Sequence, residues 1–310
     1  MTATQLQFRR GTAAQMATFT GAPGEVVVDT SNNRVVVHDG TTAGGWPAAR
    51  IAEVAPQCGR LSYVSATQIK FAPFNGGSVK IAGLLYAIPG AGVTAANTSV
   101  YLNGTAGQNL AASTLFYVYL FNNAGTLTID FSTTGHATDA TTGNVGVEIK
   151  SGDNSRTLIG MVYTNGSAQF SDTQQFRGLA SWFNRRLRSL VGFSTSNAQT
   201  SSTTSWVELD SSKRAVFVTW ADSDILTYIG GSASNTTTAN ATVYDAVGVD
   251  GTTALAAEGS ISPQATNLGW GIANVLAYAV SEGNHYITPL GLVTGGTGSY
   301  YVGVGGLLSI

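Results

Sequence analysis

Apolar and polar residues alternate or run in short blocks along most of this chain, and turn-forming residues interrupt them about every ten positions, the spacing of an all-β sandwich. The sharpest block is Glu25-Val-Val-Val-Asp-Thr30, then Ser31-Asn32-Asn33, then Arg34-Val-Val-Val-His-Asp39. Two β-branched runs around a polar turn predict a β-hairpin. Before it, Gly11 to Phe19 offers one or two turns of helix, stopped by Gly21 and Gly24; after it, Asp39-Gly40 and Gly44-Gly45-Trp46-Pro47 mark turns.

From about Arg60 to Thr173 the pattern predicts strands over Ser78 to Tyr86, Thr98 to Leu102, Thr114 to Phe121, Thr126 to Ser132, Val145 to Lys150 and Arg156 to Tyr163. Phe116-Tyr-Val-Tyr-Leu-Phe121 is apolar at both parities, which places it in a core or at a subunit contact. A second run of strands is expected at Trp206 to Leu209, Ala215 to Ala221, Ile225 to Ile229, Ala241 to Val247, Val275 to Ala279, His285 to Leu292 and Tyr300 to Leu308. Between the two regions Phe176, Leu179, Ala180, Phe183, Leu187 and Leu190 recur at helical spacing, with Arg177, Arg185, Arg186 and Arg188 mostly off that stripe. The expected architecture is all-β: a hairpin module over residues 1–52, a β-sandwich or jelly-roll-like domain over 53–175, a linker helix over 176–190 and a second β domain over 191–310. No fixed-period repeat supports a solenoid or propeller.

Composition sharpens this picture. Charged residues are 10% of the chain against about 25% in ordinary soluble domains, so the surface must be built from hydroxyl, amide and glycine positions. The 43% hydrophobic fraction and 29 aromatic residues argue for a folded protein rather than a disordered one. A formal charge of −2 with four lysines disfavours nucleic-acid binding. The one cysteine, Cys58, excludes an intrachain disulfide. No stretch reaches the roughly 18 apolar residues of a membrane span, and Met1 to Arg10 lacks the apolar stretch of a signal peptide, so neither membrane insertion nor secretion by that route is expected.

Gln7-Phe-Arg-Arg-Gly-Thr12, Gln15-Met-Ala-Thr-Phe-Thr-Gly-Ala22, Gly24-Glu25, Val28-Asp-Thr30, Val37-His-Asp-Gly40 and Gly45-Trp46-Pro47 together resemble the amino-terminal domain of the major tropism determinant type, found near the start of phage tail-fibre and receptor-binding proteins. The resemblance implies a small intertwined β element around a threefold axis that helps attach a fibre to the particle. It also implies that Arg10, Gly11, Asp29, His38, Asp39 and Gly40 are structural. Tyr117-Val-Tyr119, Asp130 to His136, Glu148-Ile-Lys150, Leu158 to Val162, Ser181 to Asn184 and, more loosely, Glu282-Gly-Asn-His-Tyr286 also resemble segments of phage fibre and virion proteins.

The chemical signals each have a plain reading. His38 and Asp39 are neighbours on a strand and so face opposite ways. His136, Asp139 and Glu148 are candidate metal ligands, but their spacing matches no ligand motif, and a loop hydrogen bond reads better. Asp222-Ser-Asp224 and Asp245 to Asp250 read as turn caps rather than calcium ligands. Gly291 to Gly298 lacks the lysine and following helix of a phosphate loop. The arginines of 177–188 read as solvated or paired with acids of an adjacent subunit rather than as an anion site. No cofactor, metal or enzyme activity is expected. The functional expectation is a homotrimeric virion fibre or spike protein, partnered by other virion proteins and by a host-surface glycan or protein, with Trp206, Trp220, Trp270, Tyr228, Tyr300 and Tyr301 as candidate contacts. The alternative is a purely structural head fibre, decoration or collar protein.

Overall fold

The valine runs form the hairpin that their spacing predicts. Val26–Asp29 pairs antiparallel with Arg34–Val37, and Asn33 adopts the left-handed conformation (φ 49°) that asparagine tolerates in a tight turn. The structure, a computed structural model, describes residues 7–48, 57–193, 199–238, 240–261 and 270–310, with the backbone alone for 256–261 and 270–276. It is almost entirely strand, as the all-β pattern requires. The chain divides into two compact units, Met1–Pro56 and Gln57–Ile310.

In the first unit the sheet order is Arg9–Gly11, Val26–Asp29, Arg34–Val37, Trp46–Pro47, with the first pair parallel. The short helix Ala13–Ala17 is started by a capping box, in which Thr12 Oγ1 accepts from Gln15 N and the Gln15 side chain accepts from Thr12 N. It lays Met16 against Val27, Val36 and Phe19, which make a small core.

In the second unit the long strands carry the core. Leu115–Asn123 lies between Thr126–Ser132 and Asp153–Tyr163 in an eight-stranded sheet. Its alternate residues enter different cores: Phe116, Val118 and Leu120 join Leu61, Phe71, Phe131 and Ile159, whereas Tyr119 joins Leu158, Met161, Phe217, Trp220 and Ile225. This explains why Phe116 to Phe121 is apolar at both parities: it is core on both faces. The second of these cores takes residues from both sides of the 176–190 segment, so the sheets expected as two domains share one hydrophobic interior and Gln57–Ile310 is a single unit.

The helix expected over 176–190 does not form. Phe176–Arg177 pairs parallel with Ala215–Thr219, Leu179–Ser181 pairs with Asp153–Tyr163, and Leu187–Gly192 pairs with Gly298–Ser309. Asn184 takes a left-handed turn (φ 54°) and its side-chain amide donates to Gly59 O and Phe74 O. Gly178 is needed because a Cβ there would lie 2.7 Å from Tyr163 O. Three successive long-range pairings bury Leu179, Ala180 and Leu190 one sheet at a time, and the helical spacing is a by-product. A smaller difference occurs over Ser78 to Tyr86: Ala82 (φ 49°) and Gly83 (φ 81°) break that run into a hairpin of Ser78–Ile81 and Leu84–Ala87.

Beside a three-stranded sheet of Arg60–Ser65, Gln68–Ala72 and Val93–Ala96, two larger sheets complete the unit. One runs Phe176–Arg177, Ala215–Thr219, Gly283–Val293, Val243–Val249, Ala254–Ile261, and the other Leu187–Gly192, Gly298–Ser309, Asp224–Asn235, Trp270–Ala279. The apolar carboxyl-terminal run is thus tied down as a central strand, and Leu308 and Ile310 are buried.

Candidate functional site

The first unit holds six residues singled out from sequence, and five of them have defined structural work. Asp29, 4% exposed, accepts from the amides of Ser31 and Asn32 and from Asn32 Nδ2 at 2.8 Å, closing the hairpin turn. The bond from the Asn32 side chain, then the two amides and the Arg34 charge, hold its carboxyl below the usual carboxylate range despite burial. Asp39 does the same at the next turn. It accepts from the amides of Thr41 and Thr42, from Thr42 Oγ1 at 2.6 Å and from Trp46 Nε1 at 3.0 Å, and these bonds, led by the Thr42 hydroxyl, push its pKa far down. His38 faces away from Asp39, as strand alternation demands. It is buried, its Nδ1 accepts from Gly21 N at 3.1 Å, and the Phe19 ring meets it edge-on at 5.0 Å. Gly40 (φ 84°) has the Pro23 ring where a Cβ would go, and Gly11 O accepts from both Thr30 N and Thr30 Oγ1. Arg10 is exposed and lines an open groove of about 200 Å³ with Arg9, Gly11, Gln15, Met16, Phe19 and Val27. Phe8, Val35, Val37 and Trp46 are also exposed on this small unit.

In the second unit the six aromatic candidates separate. Trp220 and Tyr300 are fully buried: the indole donates to Ser181 O at 3.2 Å and the phenol to Leu292 O at 2.9 Å. Neither can touch an external ligand, because both are large core side chains whose one polar atom is satisfied inside. Trp206 is half-buried beside Tyr244, while Tyr228 and Tyr301 are exposed on the sheet that contains the carboxyl-terminal strand. The Trp270 side chain lies outside the described residues.

The densest polar constellation forms around His136, on the short strand His136–Thr138. Its Nδ1 lies 2.5 Å from Glu148 Oε2 and its Nε2 lies 3.2 Å from Glu282 Oε2, while Tyr117 donates its hydroxyl to Glu282 Oε1 at 2.7 Å. The ring is packed against Tyr117, Trp182 and Trp220. Arg185 lies over Trp182 at 4.8 Å and pairs with Asp222. The bond to Glu282, opposed by burial and helped by Glu148, raises the His136 pKa, so the site between two carboxylates from sequence-distant segments favours the charged form of the ring. Asp139, by contrast, turns away to Thr141 and Asn144, so the trio considered as metal ligands is not assembled. Among the described residues no cluster of histidine, cysteine, aspartate or glutamate is arranged to hold a metal.

Among the described residues most of the other acids also find protein partners, with one buried exception. Asp250 Oδ2 meets His285 Nδ1 at 2.5 Å, and Asp172, nearly buried, gathers Arg177 at 2.9 Å, Arg188 at 2.5 Å and Arg186 at 3.9 Å. The arginines expected to be solvated or paired across subunits thus meet acids within the chain, three of them sharing the single charge of Asp172 and Arg185 pairing with Asp222. Asp245 is the exception: fully buried, both oxygens without a hydrogen-bond partner, it is pushed up to about 6 by desolvation. Sequence reasoning missed Glu282, Trp182 and Arg185 as His136's surroundings. Glu282 stands 146 residues from His136, and no local pattern announces so distant a partner.

Residues 6–42 match the family profile described as the major tropism determinant N-terminal domain. Over 47 residues the chain is 68% identical to the tail fiber receptor-binding protein of Bordetella phage BPP-1, a match that spans 15% of this chain and 12% of that protein. Solved structures of the major tropism determinant I1 and U1 variants align over 60% of this chain and 46% of theirs, at 25% and 26% identity and TM-scores of 0.30 and 0.29. The infectious bursal disease virus VP2 subviral particle aligns over 95% of this chain at 8% identity and a TM-score of 0.28. Structural likeness at that level carries no argument about Gln57–Ile310. The amino-terminal stretch is another matter: the hairpin, its two aspartate-capped turns and its buried histidine constitute a domain of the major tropism determinant N-terminal type, and they carry this chain's likeness to phage tail-fibre receptor-binding proteins.

Proposed function

We propose that this chain is a subunit of a homotrimeric bacteriophage virion fibre, attached to the particle through its amino-terminal domain and meeting the host-cell surface, a glycan or a protein, through residues of Gln57–Ile310. The observation that carries this reading is the 68% identity over 47 residues with a phage tail fiber receptor-binding protein, beside the family match over residues 6–42. The exposed Phe8, Val35, Val37 and Trp46 suit a module completed by other chains. The low charge suits a display surface of hydroxyl and amide groups, and the role requires no catalytic step. Trp206 is the accessible aromatic candidate for receptor contact away from the carboxyl-terminal sheet.

A second reading is a structural head fibre, decoration or collar protein. The observation in its favour is that the 68% identical match to a receptor-binding protein covers only 15% of the chain. One experiment separates the two: labelled full-length protein is applied to whole susceptible cells, and antibody against it is located on the particle by electron microscopy. Saturable cell binding together with a tail location supports the receptor reading. A capsid-wall location with no cell binding overturns it.

A further inference from the structure

Four arginines converge on one aspartate where Arg60–Ser65, Phe176–Arg177 and Leu187–Gly192 come together. Asp172 is nearly buried and both of its oxygens are engaged: Oδ1 accepts from Arg177 Nη1 at 2.9 Å and Oδ2 from Arg188 Nη2 at 2.5 Å. Arg186 Nη2 stops 3.9 Å from Oδ2, too far for a hydrogen bond. Arg60 is held by its Nε, which donates to Asn184 O at 3.1 Å, and by the Phe74 ring, whose centre lies 3.4 Å from the guanidinium carbon. Among the described residues no hydrogen-bond acceptor meets the outer nitrogens of Arg60 or any side-chain nitrogen of Arg186.

The charges do not balance. Four guanidiniums face one carboxylate, and the carboxylate of Ile310, which also lines the space, would offset one more positive charge at most. Two are left over even so, in a place partly withdrawn from water. Burial, then the charges of Arg188, Arg60 and Arg177 against the opposing pull of Asp172, push the Arg186 guanidinium below its ordinary value. Between Arg60, Asp172, Arg186 and Arg188, backed by Leu61 and Leu179, lies a largely enclosed cavity of about 10 Å³, room for one water-sized body.

We propose that this cavity is a binding site for a single chloride ion, held by Arg60, Arg186 and Arg188. Charge selects an anion over water, because an uncharged occupant leaves the repulsion among the guanidiniums unrelieved where the dielectric is low. Size selects a monatomic anion over a phosphate, a carboxylate or the acidic group of a macromolecule, whose further atoms have no room. The donors suit it: guanidinium N–H groups are weakly hydrated and fixed in a plane, and a spherical anion accepts them from several directions at once. The ion ties together segments that are far apart in sequence, at residue 60, residue 172 and residues 186–188. Binding to the folded chain alone then makes stability depend on chloride concentration.

The test unfolds the full chain with urea at neutral pH in sodium chloride and, at equal ionic strength, in sodium methanesulfonate, whose anion is too large for the cavity. Equal ionic strength removes the contribution of screening. The expected result is a urea midpoint that rises with chloride and saturates, without a matching rise in methanesulfonate. Arg186→Gln and Arg188→Gln are expected to need about tenfold more chloride for the same rise, the effect of one lost hydrogen bond to a charged group. Arg186 is 42% exposed, so its variant folds even if Arg188→Gln, which also loses a bond to Asp172, does not. Crystals soaked in sodium bromide are expected to show an anomalous peak between the three arginines. Midpoints that coincide in the two salts, a chloride response kept in full by Arg186→Gln, or no bromide peak in this cavity would each overturn the proposal. A bromide peak with coincident midpoints marks an adventitious ion only, and overturns it as well.

Discussion

Two sheets of the second unit are built from similar residues and end in different circumstances. The sheet around Leu115–Asn123 is covered on both faces by the chain's own side chains, with Phe116, Val118 and Leu120 on one side and Tyr119 on the other. The sheet around Asp224–Asn235 and Gly298–Ser309 is covered on one face only, and its other face shows Leu226, Tyr228, Tyr301 and Leu307 to solvent. Apolar residues on a strand therefore do not say what buries them. The first sheet spends its apolar surface on folding the single chain, while the second leaves part of its apolar surface exposed.

Removing one large side chain from each side of this contrast breaks it most directly. Trp220→Ala opens a cavity where the two sheets meet in the shared core, and a loss of about 3 to 5 kcal/mol in urea unfolding is expected. Leu226→Ala, on the bare face, is expected to cost the single chain at most about 0.5 kcal/mol. A larger loss that grows with protein concentration would report the assembly rather than the fold, because association stabilises by mass action.

Asp245 sharpens the comparison from inside the covered region. Its folded pKa of about 6 exceeds the ordinary aspartate value of about 3.9. The folded state therefore binds the extra proton, and stability declines as pH rises from about 4 to about 6 and stays lower above that. Asp245→Asn is expected to gain on the order of 2 kcal/mol at pH 7 and to flatten this dependence, as read from urea midpoints between pH 4 and pH 8. An unchanged slope in the variant would show that the carboxyl has found a partner.

His136 shifts stability with pH in the same direction for a different reason: it stabilises when charged, whereas Asp245 destabilises when charged. Its pKa is raised by Glu282 and Glu148, so its contribution is complete below the ordinary histidine range and fades as pH climbs through the raised folded value. His136→Phe keeps the packing against Trp182 and Trp220. Relative to wild type it is expected to cost about 1 to 2 kcal/mol at pH 5.5 and less at pH 9. A deficit independent of pH would mean that packing, not the ionic bridge, is what the ring supplies.

Much of the fold was legible because its signals are local. Val26-Val-Val and Arg34-Val-Val-Val around Asn32-Asn33 announce a hairpin, and Thr12 with Gln15 announces the capped turn of helix. Phe176 to Leu190 was misread because three long-range pairings happened to space its apolar residues as a helix would. The polar site was half legible: Asp29 and Asp39 cap turns two and three residues away, within reach of sequence reasoning. His136 and Glu282 meet only because the strands between them fold back. Of the aromatic candidates, composition could name Trp220 and Tyr301 alike, but only packing buries one and exposes the other.

The sequence by itself determined that this protein is all-β, poor in charge, and headed by a module of the phage fibre type. These properties follow from residue identity, short-range alternation and a contiguous motif. Tertiary structure alone decided that Gln57–Ile310 is a single unit, that Asp245 is buried without a partner, and that one sheet face is left bare. Those depend on which distant strand lies opposite, and pairing between segments a hundred or more residues apart is fixed by the sum of many weak apolar contacts.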